Sequence, residues 1–142
     1  MKFFEKFEIK IITVKNIPVE NLIVLITILA NRKNNYSLGF LKTDYEGKIV
    51  VYRSEIEIVI EEAMSDFIMD YASDINDCRD WITIEVENLS ELENRLERIE
   101  KFYPEDAKKL SKLMKICSNK YYKTINIDHK IEPEIVITVE NI

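Results

Sequence analysis

With 142 residues, 46% hydrophobic and 32% charged, the chain has the composition of a single globular domain, residues 1–142, with a real hydrophobic core. Two glycines and three prolines leave little room for flexible linker, and a single histidine excludes two-histidine zinc motifs. The formal charge of −6 disfavours nucleic acid as a partner, and the longest apolar run, Leu22 to Ala30, is too short to span a membrane, which takes about 20 residues.

Along the chain, Phe7 to Ile11 alternates apolar and charged residues, the pattern of a half-buried strand. Asn16-Ile17-Pro18 breaks it. Leu22 to Ala30 is short and rich in β-branched residues, which predicts a central strand. After the polar turn Asn31 to Asn35, the strands Tyr36 to Thr43 and Gly47 to Tyr52 are joined by Asp44-Tyr45-Glu46-Gly47. Asp opens that turn and Gly can take positive φ at its end, which is hairpin chemistry.

Ser54-Glu55-Ile56-Glu57 reads as a capping box, and Ile60, Met64, Phe67, Tyr71, Ile75 and Cys78 recur at helical steps. The pattern leaves open whether one helix or two cover residues 55–80. Trp81 to Glu87 alternates as a strand. Ser90-Glu91-Leu92-Glu93 reads as a second capping box ahead of the stripe Leu92, Leu96, Ile99 and Phe102. Pro104-Glu105-Asp106 starts a third helix with buried positions Ala107, Leu110, Met114 and Cys117. Strands Tyr121 to Asp128 and Glu134 to Glu140 close the chain, separated by a turn containing Asp128-His129-Lys130 and Pro133. The expected fold is α+β: a mostly antiparallel or mixed sheet of about six to seven strands, with three helical segments on one face or end.

Residues 8–52 resemble the small β-sandwich modules of the transthyretin-like and carboxypeptidase regulatory-like group. The segment Leu41 to Val51 carries the resemblance, with Thr43-Asp44 ending one strand and Gly47 preceding the next. The resemblance implies a binding or stabilising role without a catalytic site, and it brings no site residues with it.

Chemistry-bearing motifs are few. Two isolated glycines, Gly39 and Gly47, cannot build a phosphate-cradling loop, and neither frames a serine nucleophile. His129 beside Asp128 could support an enzyme using scattered carboxylates, and Cys117 would make a thiol–imidazole pair with His129 only if the fold brought the two together. Cys78 and Cys117 read as small core thiols; no catalytic residue, cofactor or metal is expected. The amino-terminal residues mix acids into an aromatic cluster and show no secretory pattern, so a cytoplasmic location is expected.

Charge is the unusual feature. Residues 53–106 hold 17 acids and 5 bases, whereas residues 108–130 hold 7 bases and 1 acid. Glu62, Asp66, Asp70, Asp74 and Asp77 recur at steps of four and three, which on a continuous helix forms one acidic band. Like charges at that spacing destabilise a helix modestly. A basic protein surface is therefore the expected partner, in the manner of a small acidic immunity or inhibitor protein for a toxin or nuclease. Acids on a wet helical face also serve solubility. The competing reading is a structural domain that dimerises through a sheet edge or the Trp81 region.

Overall fold

In the computed structural model, which describes residues 4–30, 35–65 and 78–142, the alternating amino-terminal segment forms strand β1 (Lys6–Thr13). Phe7, Ile9 and Ile11 are buried, and the charged residues between them point to the opposite face. The elements that follow are β2 (Ile23–Ala30), β3 (Tyr36–Lys42), β4 (Lys48–Tyr52), α1 (Arg53–Ser65), β5 (Cys78–Val86), α2 (Leu89–Phe102), α3 (Pro104–Met114), β6 (Ile125–Lys130) and β7 (Glu134–Val139). The fold is α+β, as its sequence patterns predict.

The strands divide between two sheets, one ordered β4-β1-β7 and the other β3-β2-β5-β6. All pairs are antiparallel except β1 with β7, which run parallel with Ile9 beside Ile135. The predicted hairpin between β3 and β4 is therefore corrected. Its turn chemistry is present: Asp44 Oδ1 accepts from Glu46 N–H at 2.8 Å and Lys48 N–H at 3.0 Å, and Gly47 sits at φ 75°. Yet β3 pairs with β2 and β4 with β1, so the turn carries the chain from one sheet to the other. Thr43 anchors the crossing, donating to Val19 C=O at 2.6 Å and accepting from Leu22 N–H at 3.0 Å.

The inner faces of both sheets share one core. Ile9, Ile11, Ile26, Ile28, Ile82, Ile84, Ile135 and Ile137 meet there, joined by Ile56 and Ile60 of α1, which packs against β3 and β4. Each fully buried isoleucine contributes roughly 2 kcal/mol. β2 lies between β3 and β5 and is apolar on both faces, as expected of a central strand: Ile23 faces outward into a second cluster with Leu92 of α2 and Leu110 of α3. The helical pair α2–α3 thus covers part of the outer face of the four-stranded sheet.

Three local expectations change. Neither serine begins its helix. α1 starts at Arg53, directly out of β4, and Arg53 Nε donates to Glu57 at 2.9 Å, so that glutamate does not reach back to a cap. For α2 the cap is Asn88, whose Oδ1 accepts from Ser90 N–H at 3.2 Å. Thr124 completes it, accepting from Asn88 N–H at 2.9 Å and donating to Glu91 at 2.7 Å. Cys78 belongs to β5, opposite Ala30, rather than to a helical stripe. Met64 lies in α1, whereas Phe67, Tyr71 and Ile75 lie outside the described residues, as does the question of one helix or two. No helix among the described residues is long and apolar enough to cross a membrane.

Candidate binding cleft

Strand β3 is interrupted where its neighbour is regular. Ile26 pairs with Gly39 and Thr27 with Ser37, leaving Leu38 as the extra residue of a β-bulge. Gly39 permits it by taking φ 83°, and Ser37 Oγ accepts from Gly39 N–H at 3.0 Å. The bulge twists the edge of the sheet beneath α1. Beyond it, Phe40 points outward towards the helical pair, where the guanidinium of Arg95 lies 6.0 Å from its ring centroid. Arg95 also donates to Glu87, and that carboxylate holds the guanidinium above its ordinary pKa range.

The two carboxy-proximal helices meet at Tyr103. Its N–H donates to Ile99 C=O at 2.7 Å, ending α2, and its C=O accepts from Ala107 N–H at 3.0 Å, beginning α3. Pro104 holds the first position, and Glu105 and Asp106 complete an acidic first turn at the positive end of the helix. Asn119 fixes the far end of this unit. Fully buried, its Oδ1 accepts from Ile23 N–H at 2.8 Å, and its Nδ2 donates to Ile23 C=O at 3.0 Å and Glu87 C=O at 2.8 Å.

Between α1, the β3 bulge and the α2–α3 junction lies a cleft of about 440 Å³. Leu25, Leu38, Phe40, Val59, Ile99 and Leu110 give it an apolar lining, while Glu62, Asp106, Lys109, Tyr103 and Ser37 supply polar groups. Among the described residues, Glu62 and Asp106 bring two carboxylates to the cleft and Lys109 one ammonium. Such a site suits an apolar group that carries a cation next to it: the floor receives the hydrocarbon and the rim receives the charge.

Of the acidic band expected to bind a partner, Glu62 is exposed on α1 and lines this cleft. Asp66, Asp70, Asp74 and Asp77 lie outside the described residues. The structure adds Glu55, Glu57 and Glu61 to the exposed acidic face of α1. It also adds Asp106, which reads in the sequence as a helix-dipole residue, and Phe40, which no periodic signal marks. An isolated glycine within the apolar β3 pattern is the sequence signal for the bulge.

The catalytic alternative built on Asp128 and His129 is not supported by their placement. Both belong to β6 rather than to a turn, with Asp128 opposite Thr83 and His129 opposite Ile82. Neighbouring side chains on a strand point to opposite faces. Asp128 accepts from Thr83 Oγ1 at 2.7 Å, and His129 Nδ1 lies 2.6 Å from Lys130 C=O. Cys117 packs in the outer cluster beneath α2 and α3, on the other side of the sheet from His129, and no disulfide links it to Cys78. Trp81 is 41% exposed, opposite Lys130. Of the aromatics beside the basic segment, Tyr122 packs against the main core, while Tyr121 lies under Lys120 Nζ at 5.1 Å. Comparison of the chain with protein-family models and with curated proteins returned no match.

Proposed function

We propose that this protein is a non-catalytic binding module whose acidic α1 face and adjoining cleft engage another protein through a basic surface. Its most concrete form is an inhibitor or immunity-type protein for a basic toxin or nuclease. The observation that carries the reading is the pairing of Glu62 and Asp106 around an apolar floor. Interfaces draw most of their affinity from a few anchors in desolvated pockets, and flanking charge adds specificity and speeds encounter. A partner presenting an aliphatic or aromatic side chain beside a lysine or arginine matches both features. The resemblance of residues 8–52 to small β-sandwich binding modules points the same way.

The test is affinity capture from the native host with the wild type and with a Glu62→Gln, Asp106→Asn double variant. The wild type should recover a basic protein less efficiently as salt rises, because the Debye length shrinks from about 10 Å at 0.1 M to about 3 Å at 1 M. The double variant should lose most of that recovery. A parallel variant with Asp66, Asp70 and Asp74 changed to Asn asks whether the band extends the surface. Equal recovery of the same partner by wild type and double variant, with the same salt dependence, would overturn the proposal.

A further inference from the structure

Helix α3 has a second face. Lys108, Lys112 and Lys115 line a groove of about 370 Å³ against Leu96 and Glu100 of α2, over Pro104 and Ala107. Among the described residues its lining comes from the two helices and from Lys115, the residue that caps α3, with none from a strand. Lys108 shares Glu105 at 3.6 Å, whereas Lys112 and Lys115 have no carboxylate at ion-pair distance among the described residues. The groove is thus apolar at its base and positive along one wall.

Helix α1 presents the complementary shape. Ile56 and Ile60 face the core, which turns Ile58 outward, where it is 53% exposed. Glu55 and Glu61 stand three residues to either side of it, both exposed. The result is an aliphatic knob with an acid on either flank. At 1.5 Å per residue, Glu55 to Glu61 spans about 9 Å and Lys108 to Lys115 about 10.5 Å.

We propose that α1 of one copy docks in the α2–α3 groove of a second copy. Ile58 rests on the base formed by Leu96 and Ala107, and Glu55 and Glu61 face the lysine wall. This rests on reading the acidic face of α1 as a docking surface for basic groups, and it names one such surface. Knob and groove lie on different parts of the chain, so a single contact is heterologous; reciprocal exchange about a two-fold axis closes a dimer. One helix in one groove buries far less than the about 1,600 Å² of a standard stable interface. The association is accordingly weak and salt-sensitive, and a basic partner competes with it for α1.

Analytical ultracentrifugation of the full chain at ionic strengths of about 0.01 M and 1 M tests the idea, since screening lengths there are about 30 Å and 3 Å. Wild-type mass should rise with concentration at low salt and return to that of the monomer at high salt. Glu61→Lys and Lys112→Glu, both exposed, should each weaken association by about tenfold or more. A mixture of the two variants should regain it, because the new lysine then meets the new glutamate. Circular dichroism of each variant checks that the fold is kept. A wild type that stays monomeric at every concentration would overturn the proposal, as would association that ignores both reversals. Partner capture by the Glu62→Gln, Asp106→Asn variant is read separately. If capture depends on that pair while the wild type never self-associates, this inference fails and the proposed function stands.

Discussion

Asn119 is a fully buried amide at the point where the helical pair rejoins the sheet. Beyond Glu87, β5 has left the edge of β2, so Ile23 N–H and C=O lack a strand partner on that side. The Asn119 side chain replaces it with bonds of 2.8 and 3.0 Å and adds one of 2.8 Å to Glu87 C=O. Asn119→Ala deletes all three and leaves buried backbone groups unsatisfied. At about 1 kcal/mol for each bond, and 1–3 kcal/mol for a buried group stranded without a partner, the loss should reach about 3–5 kcal/mol. That is a large share of the about 5–15 kcal/mol typical of domains. With about 3–4 °C per kcal/mol at this chain length, Tm should fall by about 10 °C or more. Urea unfolding followed by circular dichroism, with slope and midpoint fitted separately, supplies the measurement. Asn119→Asp should be worse at neutral pH, since its carboxylate faces two carbonyls. It should regain stability relative to the alanine variant as pH falls, because a protonated carboxyl can donate again. A loss below about 1 kcal/mol for Asn119→Ala would mean that these bonds do not hold the helices in place.

Gly47→Ala should cost more than about 3 kcal/mol, because strain at positive φ adds to a Cβ placed 2.6 Å from Ile11 O and 3.0 Å from Val19 N. Gly39→Ala, also at positive φ but with open space around the added carbon, should cost about 1–2 kcal/mol; equal losses in urea titrations would refute the steric argument. Arg95→Met should lose about 1–2 kcal/mol by removing the bond to Glu87 and the contact with Phe40, a loss tempered because Arg95 Nε is buried without a partner among the described residues. Tyr45 is raised above its ordinary pKa, chiefly by the adjacent Glu46 carboxylate. A raised folded value means that the stabilisation from this contact is complete below about pH 10 and is lost as pH climbs through the folded pKa. Glu46→Gln should lower the midpoint of Tyr45 followed by NMR, and an unmoved midpoint would reject that cause.

Much of the fold is legible because burial follows periodicity. Alternation in Phe7 to Ile11 and the two-sided apolar run of β2 place those strands, and i, i+3, i+4 spacing in Leu92, Leu96 and Ile99 places α2. Pairing is less legible, because it is a long-range choice. Nothing near Asp44 to Gly47 distinguishes a hairpin from a turn that switches sheets, since both ask the same φ of Gly47 and the same acceptor of Asp44. The parallel pairing of β1 with β7 joins residues more than a hundred positions apart and leaves no local trace. Polarity also misleads at β6. Asp128-His129-Lys130 looks like a turn by composition, yet Ile125, Ile127 and His129 alternate with Asn126, Asp128 and Lys130, and the alternation decides the structure.

The cleft illustrates why sites are harder to read than folds. Glu62 can be found from charge spacing alone, because one helix repeats that spacing. Asp106, Phe40 and Leu25 belong to three other elements, and their convergence depends on a bulge, a helix junction and a buried amide acting together. Each of those three has an ordinary local cause: a glycine at positive φ, a proline at a helix start, an asparagine completing a ladder. The bulge and the Tyr103 junction bring an apolar floor and two carboxylates to one cleft. Lys109, three residues after Asp106, keeps that rim from being uniformly negative, so on the proposed function a basic partner places its cation towards Glu62 and Asp106 and away from α3's second turn. On that proposal the sign pattern of the rim sets an orientation as well as a partner class. Lys109→Glu should test this by strengthening capture of a basic partner while making it more sensitive to salt; weaker capture would show that the lysine contributes a contact of its own.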